Sequence, residues 1–455
     1  MSIRTARLHF FRLLLILSAG VICVCFNSCR LCKTTVHMNE NPSPAVETEA
    51  PDETVPMIPD DGHGKDDGHK KQALRAQAAD WAAWYNSRWG DGTADEVILT
   101  TDEIKAMNER IVRDCPAVVD IAALPETMDG TTVRAMIETY TMPEVDLIDD
   151  DGAAFDKARQ QAMLDNRALD AIGETVTVRP AVITSRCNMK SFPTALQLYD
   201  EPARLYSQIQ ETELIASFPV WILHESTDGA FLFVQSYYYA GWIPSESAAL
   251  CTADEFALFA VRENYATVLS PKCVVDDVRL DMGAVLPFVE EVEDGCRVLL
   301  PRRADDGTLS LTETLLSADD GTSGSLPFTA ANFYNQAYAY LGTPYAWGGV
   351  DDGVDCSGYT CAVCRTFGIY LPRNSGEQDA YNGKRTDLTG QSPEDKLTAL
   401  AEIKGPATLH RKGHVMILLG VRDGVCHIIH APGGGSVTDT PFTQFDLLTS
   451  VDQLG

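Results

Sequence analysis

The chain has 455 residues, 45% of them hydrophobic, and carries 36 basic against 65 acidic side chains for a net charge of −29. Such a chain lacks the surplus of Lys and Arg that phosphate neutralisation demands, which excludes a nucleic-acid binder and, equally, charge-driven docking on anionic lipid. The length allows about three or four domains, and the apolar fraction is ordinary for globular chains.

The first 28 residues read as an export signal. Arg4, Arg7 and Arg12 precede an apolar run over 13–26 that ends at Asn27-Ser28-Cys29, the order of a basic region, a short apolar core and a small residue at the cut. The run is short for a transmembrane span. Cys29 resembles the lipidated cysteine of bacterial lipoproteins, although Phe26 and Asn27 depart from the residues usual ahead of it; the alternatives are plain secretion or a retained anchor. Loss of the signal removes three arginines and no acid, so −29 becomes −32. Residues 29–74 then read as a disordered acidic tether, with Pro42, Pro44, Pro51, Pro56 and Pro59 set among Asp and Glu and too little apolar surface to order them. The repeats Asp60-Asp61-Gly62-His63 and Asp66-Asp67-Gly68-His69 hold metal-ligand residue types, but no rigid frame fixes them, so neither a metal nor another cofactor is expected.

Residues 75–174 read as a helical domain, with candidate helices over 72–89, 101–113 and 155–172. From 175 the pattern turns to short β-runs over 175–184, 218–224, 230–239 and 241–243. A second set follows over 256–261, 266–269, 284–291 and 296–301. Short strands with turn-rich spacers predict two small barrels, at 175–252 and 253–326. The segment Tyr239-Ala240-Gly241-Trp242-Ile243-Pro244 resembles the strand that ends near Gly-Trp-Val in bacterial SH3-like domains.

The chemistry lies in residues 327–455. Asp355-Cys356-Ser357-Gly358 places a cysteine at the start of a predicted helix. Asp355 and Ser357 favour helix starts, and Gly358 permits close approach of another backbone. A thiol is mostly protonated at neutral pH and becomes a nucleophile when a helix N-terminus and an imidazole stabilise its thiolate. Gly413-His414-Val415 and His430 supply imidazoles downstream. The bland alternative is a buried structural cysteine. Cys361 and Cys364 share a face of the same helix, but no fourth ligand has spacing suited to a cluster, so they read as helix core. Thirteen cysteines in an exported chain leave any disulfide connectivity open.

The flanking segments carry a resemblance. Gly342-Thr343-Pro344-Tyr345-Ala346-Trp347-Gly348-Gly349, Leu371-Pro372-Arg373-Asn374-Ser375, Gly413-His414-Val415-Met416 and Ile429-His430-Ala431 resemble, in the same order, the motifs of NlpC-type cysteine peptidases of bacterial cell walls, over about residues 329–455. The resemblance implies a papain-like fold, a Cys–His–polar triad and cleavage of peptidoglycan stem peptides after D-glutamate. Carried over by motif, Cys356 is the nucleophile, His414 the base and His430 its orienting partner. Tyr345 and Asp355 match positions that hold a free substrate amine, with Ser357 beside them; Asp355 as a simple helix cap is the alternative. Arg373 and Ser375 match contacts to the D-glutamate carboxylate, a natural partner for a guanidinium fork. Trp347 is expected in the core. One segment departs from the family: Ile403-Lys404-Gly405-Pro406-Ala407-Thr408 lacks the apolar–Gly–Asp run usual ahead of the base strand. Residues 379–402 read as a surface excursion near the cleft.

His427 competes with His430 for the third role. Residues 415–419 and 425–429 read as a hairpin, and a three-residue loop Arg422-Asp423-Gly424 with Gly424 left-handed pairs Met416 with His430. His414 and His430 then share a face and His427 takes the other; a two-residue Asp-Gly turn would reverse this. The expected architecture is α+β: a papain-like NlpC-type domain behind two SH3-like barrels and a helical segment. That order resembles gamma-D-glutamyl-L-diamino acid endopeptidases, in which the first barrel walls the active site and selects a free N-terminal L-alanine. Tyr239 is the barrel's candidate contact, or else a barrel rim aromatic. The expected partners are stem peptides and a membrane reached through the lipid anchor, in the cell envelope. The rivals are a peptidoglycan-binding lipoprotein with an inactive or occluded last domain, and a papain-like amidase or acyltransferase.

Overall fold

The computed structural model describes residues 67–454 apart from 203 and 205. Cys29 and the export signal lie outside the described residues, as does the tether up to residue 66. The N-terminal helix Asp67–Trp89 starts earlier than predicted and takes in the end of the second Asp-Asp-Gly-His repeat. Thr101–Asp114 follows, opened by a capping box between Thr100 and Glu103, and then Lys157–Asp165, capped by Asp156. Gly130–Glu138 escapes the sequence reading. Its only start signal is Asp129, whose carboxylate accepts from the Thr132 N–H. Among the described residues, no helix is long and apolar enough to cross a membrane.

The predicted run over 175–184 breaks in two. Thr175–Thr177 pairs with Thr127–Asp129, and Arg179–Ile183 enters a seven-stranded antiparallel sheet. Its order is Gln210–Leu214, Cys187–Lys190, Ala240–Pro244, Phe231–Gln235, Pro219–Glu225, Arg179–Ile183, Ala248–Leu250. Trp242 fills its interior, edge-on to Phe233 at 5.4 Å. A five-stranded antiparallel sheet comes next, in the order Leu309–Ser317, Gly295–Arg303, Val285–Val292, Tyr265–Val268, Gly321–Ser323. The strand expected over 256–261 is instead the helix Ala253–Ala260. Thr252 Oγ1 accepts from the Glu255 N–H and the Glu255 carboxylate from the Thr252 N–H. This capping box, with Phe256 and Phe259 one turn apart on the buried side, outweighs the β-leaning composition.

The C-terminal sheet has six antiparallel strands in the order Lys384–Asp387, Ser450–Gln453, Ala407–Arg411, His414–Arg422, Val425–His430, Thr438–Pro441. Residues 379–402 are not an excursion: they supply the edge strand Lys384–Asp387 and the helix Pro393–Ala401. The atypical segment 403–408 turns at Gly405, at φ 109°, and delivers Ala407–Arg411 into register with the first five residues of His414–Arg422. One core joins Trp81 and Tyr85 of the N-terminal helix to Trp242, Leu286, Phe333 and Val363.

Replacing Thr252 by Ala removes the cap and weakens its helix by about 1 kcal/mol. Hydrogen exchange at the amides of 253–260 should accelerate by roughly fivefold, with the six-stranded sheet unaffected.

Candidate active site

Cys356 opens the helix Cys356–Arg365, and Asp355 is its N-cap, accepting from the Gly358 N–H at 2.7 Å. Asp355 does more than cap. Its Oδ2 accepts from the Gly348 N–H at 2.9 Å, and both oxygens take a fork from Arg373, Nη1 to Oδ1 at 3.0 Å and Nη2 to Oδ2 at 2.6 Å. Arg373 Nη1 also donates to Ser357 Oγ at 3.0 Å, and Nε donates to Thr212 Oγ1 at 2.8 Å on the first sheet. Glu213 lies 3.6 Å from Nη2. Gly358 gives room to these side chains, with Asp355 Oδ1 only 3.1 Å from its Cβ position, rather than to another backbone. Burial raises the Asp355 carboxyl, but the Arg373 charge and the hydrogen bonds from Arg373, Gly358 and Gly348 outweigh it and hold the group below the usual carboxylate range.

The Trp347-Gly348-Gly349 motif is explained at the same seam. Both glycines are left-handed, at φ 60° and 76°. A Cβ would sit 2.6 Å from the Gln210 side chain at Gly348 and 2.1 Å from the Glu213 carboxylate at Gly349. Trp347 is half-buried at the rim instead of in the core, 5.7 Å and edge-on from Tyr206. Tyr206 also meets Tyr345 at 6.3 Å, and its hydroxyl fills the place of a Cβ on Gly433. Burial and then the charge of Cys356 raise the Tyr206 phenol; Tyr345 is raised by burial, Asp355 and Cys356. Tyr206 is thus held against Tyr345 and Trp347 of the segment before Cys356, although the sequence gives it no motif. Tyr239 is turned to the seam, its hydroxyl donating to Asn374 Oδ1 at 3.1 Å. Ser375 is the first residue of the helix Ser375–Tyr381.

His414 and His430 come together: His414 Nε2 and His430 Nδ1 share a hydrogen bond of 2.8 Å. They do so by a route the sequence reading does not foresee. The hairpin loop has two residues, Asp423 and Gly424, at φ 53° and 78°, with Arg422 opposite Val425. That turn alone would send His430 to the far face. A bulge between Leu418 and Gly420 reverses it, so that Ile417 pairs with Ile429. His427 lies on the other face, 5.3 Å from Trp81.

Burial, followed by the fields of His430, Arg411 and His410, pushes the His414 pKa well down. Burial and Arg411 lower His430 to about 4. The Cys356 thiol is pushed up to about 11, first by burial and then by Asp355, against the N–H groups of Val415 and Ser357. Burial thus works against the charged form of the thiol and of both imidazoles alike. The nine described cysteines are free, Cys361 and Cys364 are buried in the helix, and no His, Cys, Asp or Glu group among the described residues is arranged to hold a metal.

Residues 342–444 match the NlpC/P60 family. The chain carries an NlpC/P60 domain. Residues 204–244 match an SH3 domain of the SH3b1 type, which places Tyr206, Thr212 and Glu213 in an SH3 domain that reaches the NlpC/P60 cleft. The chain is similar to gamma-D-glutamyl-L-lysine dipeptidyl-peptidase of Bacillus cereus, 30% identical over 210 residues that cover 43% of this chain and 56% of the relative. To the protein of the same name from Bacillus subtilis it is 32% identical over 108 residues, 24% of this chain and 33% of that one. The chain thus spans about half the length of the first relative and a third of the second. An NlpC/P60 endopeptidase from Photobacterium damselae subsp. piscicida shares the fold, with a TM-score of 0.66 and 19% identity over 81% of this chain and 96% of that one.

Replacing Arg373 by Ala strands a buried carboxylate and should cost about 3–5 kcal/mol in urea unfolding. Because the Asp355 pKa is depressed on folding, the stability it contributes is present above the unfolded value of ~3.9 and is lost as pH falls through the folded one. The wild type should therefore lose more stability than Asp355→Asn on acidification below about pH 4.

Proposed function

We propose that the protein is a cell-wall cysteine endopeptidase that hydrolyses the bond between γ-D-glutamate and the diamino acid of peptidoglycan stem peptides. The observation that carries this reading is the 2.8 Å His414–His430 hydrogen bond in a domain whose cysteine opens a helix and whose sequence matches NlpC/P60. The names of the two Bacillus relatives support the substrate class.

With the shared proton on His414 Nε2, His430 Nδ1 accepts it and His414 Nδ1 keeps a lone pair for the thiol. His414 takes the proton of Cys356 as the sulfur attacks the D-glutamyl carbonyl. The N–H groups that already favour negative charge at Cys356 are suited to the developing oxyanion, with the Tyr345 hydroxyl near them. His414 returns the proton to the leaving amine, and water then releases the acyl group. His430 holds the base in this tautomer.

Peptides with a free N-terminal L-Ala are the favoured substrates in this reading. Asp355, Glu213 and Arg373 together carry one net negative charge beside Tyr345, which suits an ammonium. The four acceptor positions of Asp355 are taken within the protein, so the amine gains from the field of the cluster more than from a hydrogen bond to Asp355. Arg373 has at most one N–H to spare, and the D-glutamate carboxylate falls to Ser375. Tyr206 closes the end of the cleft beyond the L-Ala. Export to the cell envelope, with lipid attached at Cys29, completes the proposal.

Mass spectrometry of L-Ala-γ-D-Glu-diaminopimelate and of intact muropeptides, with wild type and Cys356→Ala, tests it. Release of L-Ala-D-Glu from the free peptide alone, lost in the variant, is expected. Cleavage of both substrates would remove the amine preference, and binding without cleavage would remove the peptidase. The pH profile of kcat/KM follows from the shifts. Lowered imidazoles stay neutral below the ordinary ~6.5, so activity should persist beneath that pH and fall only towards about 4, with the alkaline limb towards about 11. An acid limb at or above 6.5 would contradict the assignment.

A further inference from the structure

The two histidines meet only because the hairpin carries one extra residue. The Asp423-Gly424 turn has both residues at positive φ, the two-residue form that matches strand twist. Uninterrupted pairing from that turn would put His430 opposite Ile417, facing away from His414. Leu419, unpaired between Leu418 and Gly420, shifts the register by one and brings His430 back to the His414 side. Such a bulge gives up ladder hydrogen bonds and persists where its surroundings determine it.

Two side chains do so here. The Tyr334 hydroxyl, from the helix Ala330–Ala339, donates to the Leu419 carbonyl at 3.1 Å in a buried setting. On the N-terminal helix, the Trp84 indole occupies the position that a Gly420 Cβ would take, with ring carbons 2.3 and 2.4 Å from it; Gly420 is at φ 147°. The same helix grips the end of the hairpin. Arg422 lies over the Trp81 ring at 4.1 Å and pairs with Asp80 at 2.7 Å.

We propose that Tyr334 and Trp84 are positioning residues for the catalytic histidines: together they hold the Leu419 bulge, and through it the register that presents His430 to His414. The N-terminal helix is then part of the catalytic apparatus, although it lies on the face of the hairpin opposite the histidine pair. This inference rests on the peptidase reading for its kinetic consequence but not for its structural one.

The test uses the full chain with Tyr334→Phe, which removes one oxygen, and with Trp84→Ala and Trp84→Phe. Turnover of L-Ala-γ-D-Glu-diaminopimelate should fall by about tenfold to a hundredfold in kcat for Tyr334→Phe and Trp84→Ala, with KM within about twofold, and Trp84→Phe should recover part of it. Imidazole NMR should show the hydrogen-bonded proton between His414 and His430 in the wild type and its loss or broadening in the first two variants. That signal is read whether or not the peptide is cleaved, so an inactive wild type would overturn the peptidase reading and leave the clamp testable. If Trp84→Ala fails to fold, Tyr334→Phe carries the test. Wild-type kcat and an unchanged imidazole signal in Tyr334→Phe would overturn the proposal, even if its melting temperature falls.

Discussion

The buried pair between Arg373 and Asp355 is the constraint on which the site depends. One guanidinium joins the cap of the Cys356 helix and the Leu-Pro-Arg segment, 18 residues apart, to the SH3 strand Gln210–Leu214, 161 residues from Arg373 at Thr212. Desolvating two charges is expensive, and a buried ion pair often adds little net stability over apolar packing. What it supplies is geometry. A planar fork meets a carboxylate in one orientation, and Asp355 in turn accepts from Gly348 and Gly358. The residue before Cys356 therefore cannot rotate without breaking contacts on every side.

The same arrangement explains why the SH3 domain cannot be a loosely tethered binding module. Its strand supplies Thr212 and Glu213 to Arg373, and Gln210 donates to the Gly348 carbonyl at 3.1 Å. Arg186 reaches the Gly349 carbonyl at 2.5 Å. These contacts need the two left-handed glycines, because any side chain there would collide with Gln210 or Glu213. The Gly-Gly motif is thus a docking surface for the SH3 domain as much as a turn before the cysteine.

What could be read from the sequence was local chemistry with a fixed offset. The Asp355 cap, the helix it starts and the run of helices and short strands all follow from neighbouring residues. The helix Ala253–Ala260 was legible too, in Thr252 and Glu255, but its aromatic composition argued for a strand. Tyr206, Thr212 and Glu213 were not legible, because what makes them part of the site is a domain contact more than 130 residues away in sequence. The Arg-Asp-Gly sequence suits a three-residue loop, whereas the turn has two residues, with Arg422 paired to Val425. His430 still meets His414 because the bulge offsets that difference, and nothing local to Leu419 announces a bulge: its cause sits on two helices elsewhere.

That offset bears on how the histidine pair is sustained. A strand can present a side chain to either face, and the difference between them is a slip of one residue. In a flat, evenly polar strand the slip would cost little. Here Ile417 and Ile429 belong to one hydrophobic core and Met416, Leu418, Cys426 and Ile428 to another, so a slip would exchange the contents of two cores. Strand burial on both faces fixes the far half of the hairpin, and the Asp423-Gly424 turn fixes the near half one residue out of step. The bulge is where these two demands are reconciled, and the Tyr334 hydroxyl satisfies the carbonyl that the reconciliation leaves unpaired.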